Sequence, residues 1–307
     1  MKHKMISAKI ISDSVCPKGV RMTTMEIEYP RFILAELNTH RMLSKNSASS
    51  RAIPVKAMHD FIKENPATPV SWGKNQPGMK AKEELIGVDK KEAIRLWNRA
   101  KEDALHWSWA MAEHLGLHKQ IANRITEPWM TMKTVISGTE WTNFFHLRNH
   151  ADAQPEIKAL AEAMTVAYTT HLPVELKPGE WHLPYITIGT YVPTGDLQYF
   201  DENFNRLSLE DAKIISASCC AQVSYRKNDP TFEKAFKIWE QLIENDPVHA
   251  SPIEHQATPM DIDSMCRFEP ETWQLGVTHV SANSDLWSGN LRGWIQHRKL
   301  IRNEAVW

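Results

Sequence analysis

Thr39-His40-Arg41-Met42-Leu43-Ser44-Lys45-Asn46-Ser47-Ala48-Ser49-Ser50-Arg51 is the densest polar run in the chain. Just upstream, Phe32, Ile33, Leu37 and Met42 fit one face of a helix from Arg31 to Leu43, which follows Pro30. The polar run therefore sits where that helix gives out. A helix terminus running into a Ser/Asn-rich turn exposes backbone N–H groups, and a guanidinium beside them makes a bidentate anion site. A solvated basic turn with serine caps fits the same composition, so the rest of the sequence has to choose between the two.

Before this run, residues 5–12 and 21–29 read as strands, because Thr23, Met25, Ile27 and Tyr29 alternate with Thr24, Glu26 and Glu28. After it come a short helix over 55–64 and an irregular stretch, 65–87, rich in Pro, Gly, Lys and Asn. The strongest helical pattern is 90–115, with Ile94, Trp97, Leu105, Ser108 and Ala112 on one face and Gly116 as its stop. Helical character resumes at 118–125 and again beyond Pro128. A helix over 153–170 buries Ile157, Leu160, Ala161 and Met164, with Asp152 as its expected cap. Pro173, Pro178, Pro184, Pro193 and Gly195 mark a joint between segments 1–194 and 195–307.

In the second segment Ser208-Leu209-Glu210-Asp211 starts a helix through Cys220 in the manner of a capping box. Asp229-Pro230 opens another, with Phe232, Ala235, Phe236 and Trp239 on one face. Residues 257–269 and 273–281 are weaker strand candidates, and 289–303 reads as helical. The expected class is α+β, mixed helices with a small antiparallel sheet.

The chain has 307 residues, with 36 Lys+Arg against 37 Asp+Glu, a formal net charge of −1. A field that close to zero gives no long-range attraction to nucleic acid or an anionic membrane, so an anionic ligand has to be held by local arginines. No apolar run is long enough to span a bilayer or serve as a secretion signal. The four cysteines form no CxxC pair and no disulfide framework, which points to a reducing, cytoplasmic setting. No dinucleotide glycine motif, phosphate-binding loop, HExxH or GxSxG is present. His249 and His255 lack a recognisable third ligand, so no metal is expected. The 12 tryptophans suit flat ligands or broad interfaces and equally an ordinary core.

Two more clusters stand out. Asn143-Phe144-Phe145-His146-Leu147-Arg148 sets an arginine in apolar surroundings before Ala153-Gln154-Pro155-Glu156-Ile157. His249-Ala250-Ser251-Pro252-Ile253-Glu254-His255 gathers two imidazoles and a carboxylate around a proline. With the run at 39–51 and Gln120-Ile121-Ala122-Asn123-Arg124, these segments resemble the flavin-dependent thymidylate synthases. His40, Arg41, Ser44, Asn46, Ser49 and Arg51 fall on that family's signature in register, while Thr39 and Ser47 replace its first arginine and its glutamate. Glu36 and Thr139 stand where the family has a glutamine and a flavin-site arginine. Cys219 to Tyr225 and 249–255 look like the family's N-terminal segments displaced to the end, so the chain resembles a circularly permuted member. Leu291 to Arg298, with Gln296, His297 and Arg298, resembles a second, partial signature helix.

The resemblance implies FAD-dependent methylation of dUMP to dTMP, with methylenetetrahydrofolate as one-carbon donor and NADPH as reductant. It assigns the nucleotide to Glu36, Ser49, Arg51, Arg124 and Arg148, with Arg148 acting on the pyrimidine as the catalytic residue. It assigns the flavin to His40, Arg41, Asn46, Asn143, His249 and Ser251. A homotetramer is implied as well. Flavin- and folate-dependent hydroxymethylation of a pyrimidine deoxynucleotide and a non-catalytic nucleotide-binding relative are the alternatives.

Overall fold

The alternation at residues 21–29 becomes the spine of the larger sheet. In the computed structural model, which describes residues 5–226 and 228–305, β1 (Ser7–Val15) and β2 (Arg21–Pro30) form an antiparallel pair. Next come α1 (Leu34–Asn38), β3 (Ser44–Ser47), α2 (Val55–Glu64), α3 (Gly87–Leu115) and α4 (Lys119–Ala122). β4 (Thr131–Gly138), α5 (Thr142–Arg148), α6 (Pro155–Thr170) and β5 (Val174–Glu175) complete this part. The strand order is β3-β4-β2-β1-β5, antiparallel except that β5 runs parallel to β1. One sheet face presents Met25, Ile27 and Tyr29 from β2 and Met132 and Ile136 from β4 to the buried Ile157, Leu160, Ala161 and Met164 of α6. The other carries the polar residues that alternate with them.

The remainder of the chain packs beside this sheet. β6 (Thr187–Tyr191), β7 (Asp196–Phe200) and β8 (Arg206–Leu207) form an antiparallel meander against α7 (Leu209–Gln222). α8 (Phe232–Trp239) runs into a π-helical turn, Glu240–Glu244. The short strands β9 (Ala257–Pro259), β10 (His279–Val280), β11 (Leu286–Ser288), β12 (Leu291–Arg292) and β13 (Trp294–Gln296) make two small sheets, β10-β11-β12 and β13-β9. The class is α+β, as the sequence implies. Ser208 caps α7 through the Asp211 amide at 3.1 Å.

Buried hydrogen bonds tie these parts together. The fully buried His182 has Nδ1 2.9 Å from Ser14 Oγ on β1 and Nε2 2.8 Å from Thr24 Oγ1 on β2. Thr24 Oγ1 lies 2.6 Å from Ser137 Oγ on β4, which in turn lies 2.8 Å from Nδ1 of the buried His255. Burial pulls both imidazoles down to about 3, so both are neutral and each carries a single N–H.

Several local expectations change. The helix after Pro30 is a 3-10 turn plus the five residues of α1, ending at Asn38 rather than Leu43. Of the polar run that follows, Ser44–Ser47 is then an edge strand. Beyond Pro128 the chain is β4, not helix, because Thr131, Thr134, Val135 and Ile136 are β-branched and fit the centre of a sheet. Gln154, not Asp152, caps α6 by accepting from the Ile157 amide at 3.1 Å. Residues 289–303 are not a helix. Gly289 and Gly293 take left-handed backbones, φ 58° and 70°, which interrupt helical geometry and leave β12, β13 and a 3-10 turn, His297–Leu300. The expected strands at 257–269 and 273–281 shrink to β9 and β10. Among the described residues, no helix is long and apolar enough to cross a membrane.

Leu160 is fully buried between α6 and the sheet. Leu160→Ala is expected to cost about 2–5 kcal/mol of stability, read as a lower urea midpoint with an unchanged denaturant slope.

Candidate active site

The segment 44–51 is held as a ribbon along the edge of the sheet. β3 pairs with β4 in the register Ser44↔Ser137, Lys45↔Ile136, Asn46↔Val135 and Ser47↔Thr134. The ribbon continues past the strand, because the Ala48 amide donates to Lys133 O at 2.8 Å and the Ser49 amide to Ser224 O at 3.0 Å. Those two amides are spent on backbone carbonyls and are not the free anion donors expected of a turn. The donors that remain here are side chains and the amides of Ser50 and Arg51, which donate to no backbone carbonyl.

A cavity of about 320 Å³ lies on one side of this ribbon, lined by Ser47, Ser49, Ser50 and Arg51 together with Arg31, Lys45 and Arg124. Ser49, Arg51 and Arg124, assigned to a nucleotide by the resemblance, thus share a wall. Glu127 organises it. Its carboxylate accepts from Arg124 at 3.1 Å and from Ser50 Oγ at 2.9 Å, and it pairs with Arg31 at 3.0 Å. A second cavity, about 570 Å³, shares part of this wall. Asn46, Gln222, Tyr225, His249 and Ser251 line it, with Lys45, Ser47, Ser49 and Arg51 again in the wall. Asn46, His249 and Ser251, assigned to the flavin and some 200 positions apart in the chain, are brought together here. Ser251 opens a 3-10 turn, Ser251–His255, whose Pro252 and Ile253 are buried, and His249 lies two residues before it.

Arg148 lies elsewhere. It projects from the last turn of α5 and donates through Nε to His40 Nε2 at 2.8 Å, with Thr39 Oγ1 at 3.3 Å and Glu36 Oε1 at 3.7 Å from its other nitrogens. The second carboxylate oxygen of Glu36 is buried without a hydrogen-bond partner. The bond from Arg148 requires an unprotonated Nε2 on His40. Burial, then the charges of Arg148 and Lys45, pull this imidazole down to about 4. Phe144 packs edge-on to its ring at 4.8 Å. Arg148, Glu36 and His40 therefore form one cluster, and Arg148 lines neither cavity. Arg41 and Asn143 are exposed and line neither cavity.

The C-terminal residues considered as a second signature stand behind the site. Gln296 donates to Glu254 O and Asn290 Oδ1, His297 packs against Trp181 and Trp239, and Arg298 pairs with Glu254 and Glu304. Lys45, Arg31, Glu127 and Tyr225 are site residues that sequence reading did not single out. Lys45 had a signal: with Ser47, Ser49 and Arg51 it follows the period-two spacing that puts side chains on one strand face. Glu127 had a weaker one, three positions after Arg124.

His40 gives a pH prediction. Its folded pKa lies below the unfolded value near 6.5, so the unfolded chain binds the extra proton, and stability is lost as pH falls from 6.5 toward 4. His182, His255 and His297 add to the same acid slope, down to about 3. His40→Gln is expected to make urea-measured stability less steep with pH across the His40 window, by up to one proton. An unchanged slope would mean that His40 is not held neutral.

The comparisons with known proteins bear on the same part of the chain. A family model described as thymidylate synthase complementing protein matches residues 20–174, a span that holds β2 to β4, the ribbon, Arg124 and Arg148. Among solved structures, a UMP/dUMP methylase PolB from Streptomyces cacaoi, bound with 5-Br UMP, aligns at TM-score 0.47 and 18% identity, over 54% of this chain and 90% of that one. The flavin dependent thymidylate synthase ThyX from Helicobacter pylori, complexed with FAD and dUMP, aligns at TM-score 0.33 and 22% identity, over 48% of this chain and 67% of that one. A search of curated proteins gives no match. With half of its length matched by this family model, the chain belongs to the thymidylate synthase complementing protein family.

Proposed function

We propose that the chain is an FAD-dependent thymidylate synthase, which methylates C5 of dUMP to dTMP with methylenetetrahydrofolate as one-carbon donor and NADPH as reductant. The observation that supports this most is the ribbon with its two cavities: Ser49, Arg51 and Arg124 line the smaller, and Asn46, His249 and Ser251 the larger. On this reading the phosphomonoester of dUMP accepts hydrogen bonds from the two guanidiniums and the Ser49 hydroxyl. Arg148 is the catalytic residue. Its guanidinium, oriented by His40 and Glu36, stabilises negative charge that develops at N3 and the ring oxygens, which makes C5 nucleophilic. No cysteine attack is needed, in keeping with Cys219, whose thiol burial pushes up to about 12.

The larger cavity suits a flavin chemically. An amide, an imidazole, a hydroxyl and two cations converge there beside the Tyr225 ring. Asn46, His249 and Ser251 would hold the flavin, with His40, Arg41 and Asn143 as the further contacts that the resemblance implies. Bound FAD, once reduced by NADPH, would supply the hydride that completes the methyl group. Since Arg148 lines neither cavity, the base-facing arginine would come from another copy, which fits a homotetramer. A cytoplasmic protein made of segments 1–194 and 195–307 in permuted order belongs to the same reading. Thr39 and Ser47, in place of charged signature residues, favour a second outcome, hydroxymethylation of a pyrimidine deoxynucleotide.

Purified protein is expected to be yellow and to convert dUMP to dTMP with methylenetetrahydrofolate and NADPH, with mass spectrometry distinguishing a methylated from a hydroxymethylated product. A preparation that stays colourless after incubation with FAD would sink the flavin assignment. Arg148→Gln is expected to lower kcat about 10²- to 10³-fold at saturating dUMP. If that variant loses nucleotide affinity alone, the protein is a binder and not an enzyme.

A further inference from the structure

The ribbon turns Lys45, Ser47, Ser49 and Arg51 toward both cavities at once. Lys45 and Arg51 have no carboxylate partner among the described residues, and of the two only Lys45 is partly buried, Arg51 being exposed. The partly buried ammonium of Lys45 donates to two backbone carbonyls, His40 O at 2.6 Å and Leu43 O at 2.9 Å. An ammonium has three donors, so one is uncommitted. Among the described residues no carboxylate lies within ion-pair distance of it. Glu254, whose charge does act on Lys45, is committed to Arg298. Arg124 and Arg31, by contrast, are paired to Glu127. A half-buried cation that keeps its charge without a partner is electrostatically unbalanced, and an anion brought into either cavity would correct this.

We propose that Lys45 is a cation shared by the two cavities, helping to hold a phosphate-type anion in the smaller and a second anionic group, of the pyrophosphate kind, in the larger. The chemistry of the side chain fits two directions of use. A compact ammonium on a flexible stem is a point charge that can be reached from either side, whereas a planar guanidinium commits its fork to one plane. Arg51 also lines both cavities, but only Lys45 has its charge inside the wall with no acid beside it. The identity of the two ligands rests on the proposed function. The sharing itself rests on the geometry of the ribbon.

The test measures binding of dUMP by calorimetry and of FAD by flavin fluorescence, in the wild-type chain and in variants. Lys45→Met keeps the stem and removes the charge, and is expected to weaken both ligands about tenfold, the scale of one charge-assisted hydrogen bond. Arg124→Gln is expected to weaken dUMP alone and His249→Gln to weaken FAD alone. Lys45→Arg should restore most of both affinities, and Lys45→Gln repeats the measurement if the methionine variant does not fold. Loss at one cavity only, or at neither, overturns the proposal. A wild-type chain that binds neither dUMP nor FAD refutes the functional reading instead. In that case inorganic phosphate and pyrophosphate become the probes, and the shared cation stands only if Lys45→Met weakens both.

Discussion

The buried relay from Ser14 through His182, Thr24 and Ser137 to His255 is the constraint on which the rest of the molecule depends. Every member lies inside the sheet or against it, where an unmade hydrogen bond costs on the order of 1–3 kcal/mol. The relay therefore fixes more than a local contact. It joins β1, β2 and β4 to residue 182, which precedes the meander, and to residue 255, which ends the turn that begins at Ser251, two residues after His249. Two pieces of chain far apart in sequence are set against the sheet by these buried groups. Acid weakens this anchor directly, since both imidazoles are buried neutral and His182 bonds through both of its ring nitrogens.

What the relay anchors is an edge. β3 pairs on one side only, with β4, and an edge strand is normally a liability because its free side invites pairing with another chain. Here the free side faces two cavities and is crowded with serines, an asparagine, a lysine and an arginine. The same polar side chains that discourage strand addition supply the donors of the site. The Ser224 carbonyl, which accepts from the Ser49 amide, closes part of the edge from the second half of the chain. A strand that would elsewhere be blunted by charge alone is blunted by its use.

The parts of the fold legible in the sequence are those where local pattern and burial agree. β1, β2, α3 and the cap of α7 stand where periodicity and capping put them, because each carries its own signal over many residues or in one spaced pair. The failures have physical causes. α1 is only five residues long, so the helical spacing around Phe32 and Leu37 overruns it and hides the strand at Ser44–Ser47. Residues 289–303 carry apolar residues at helical spacing, yet two left-handed glycines break the geometry, and strands of two or three residues are too short to show alternation. The site divides in the same way. Ser49, Arg51 and Arg124 were legible because a signature holds them, whereas Lys45, Glu127 and the His182 relay gain their meaning only from contacts across the chain. The tryptophans divide too: Trp294 and Trp141 are core, while Trp107 and Trp109 on α3 stand 60% and 45% exposed.

Glu127 has a consequence of its own. By holding Arg31, Arg124 and Ser50 around one carboxylate, the smaller cavity carries an internal competitor for any ligand that enters. The guanidiniums are thereby aimed before a ligand arrives, which lowers the ordering cost of binding. An arriving anion must nonetheless outbid a carboxylate already in place. Singly charged ions such as chloride gain little from that exchange, whereas a dianion with several acceptor oxygens gains charge and hydrogen bonds together. The carboxylate thus acts as a threshold, which filters the abundant weak anions of a salt solution without any change of shape.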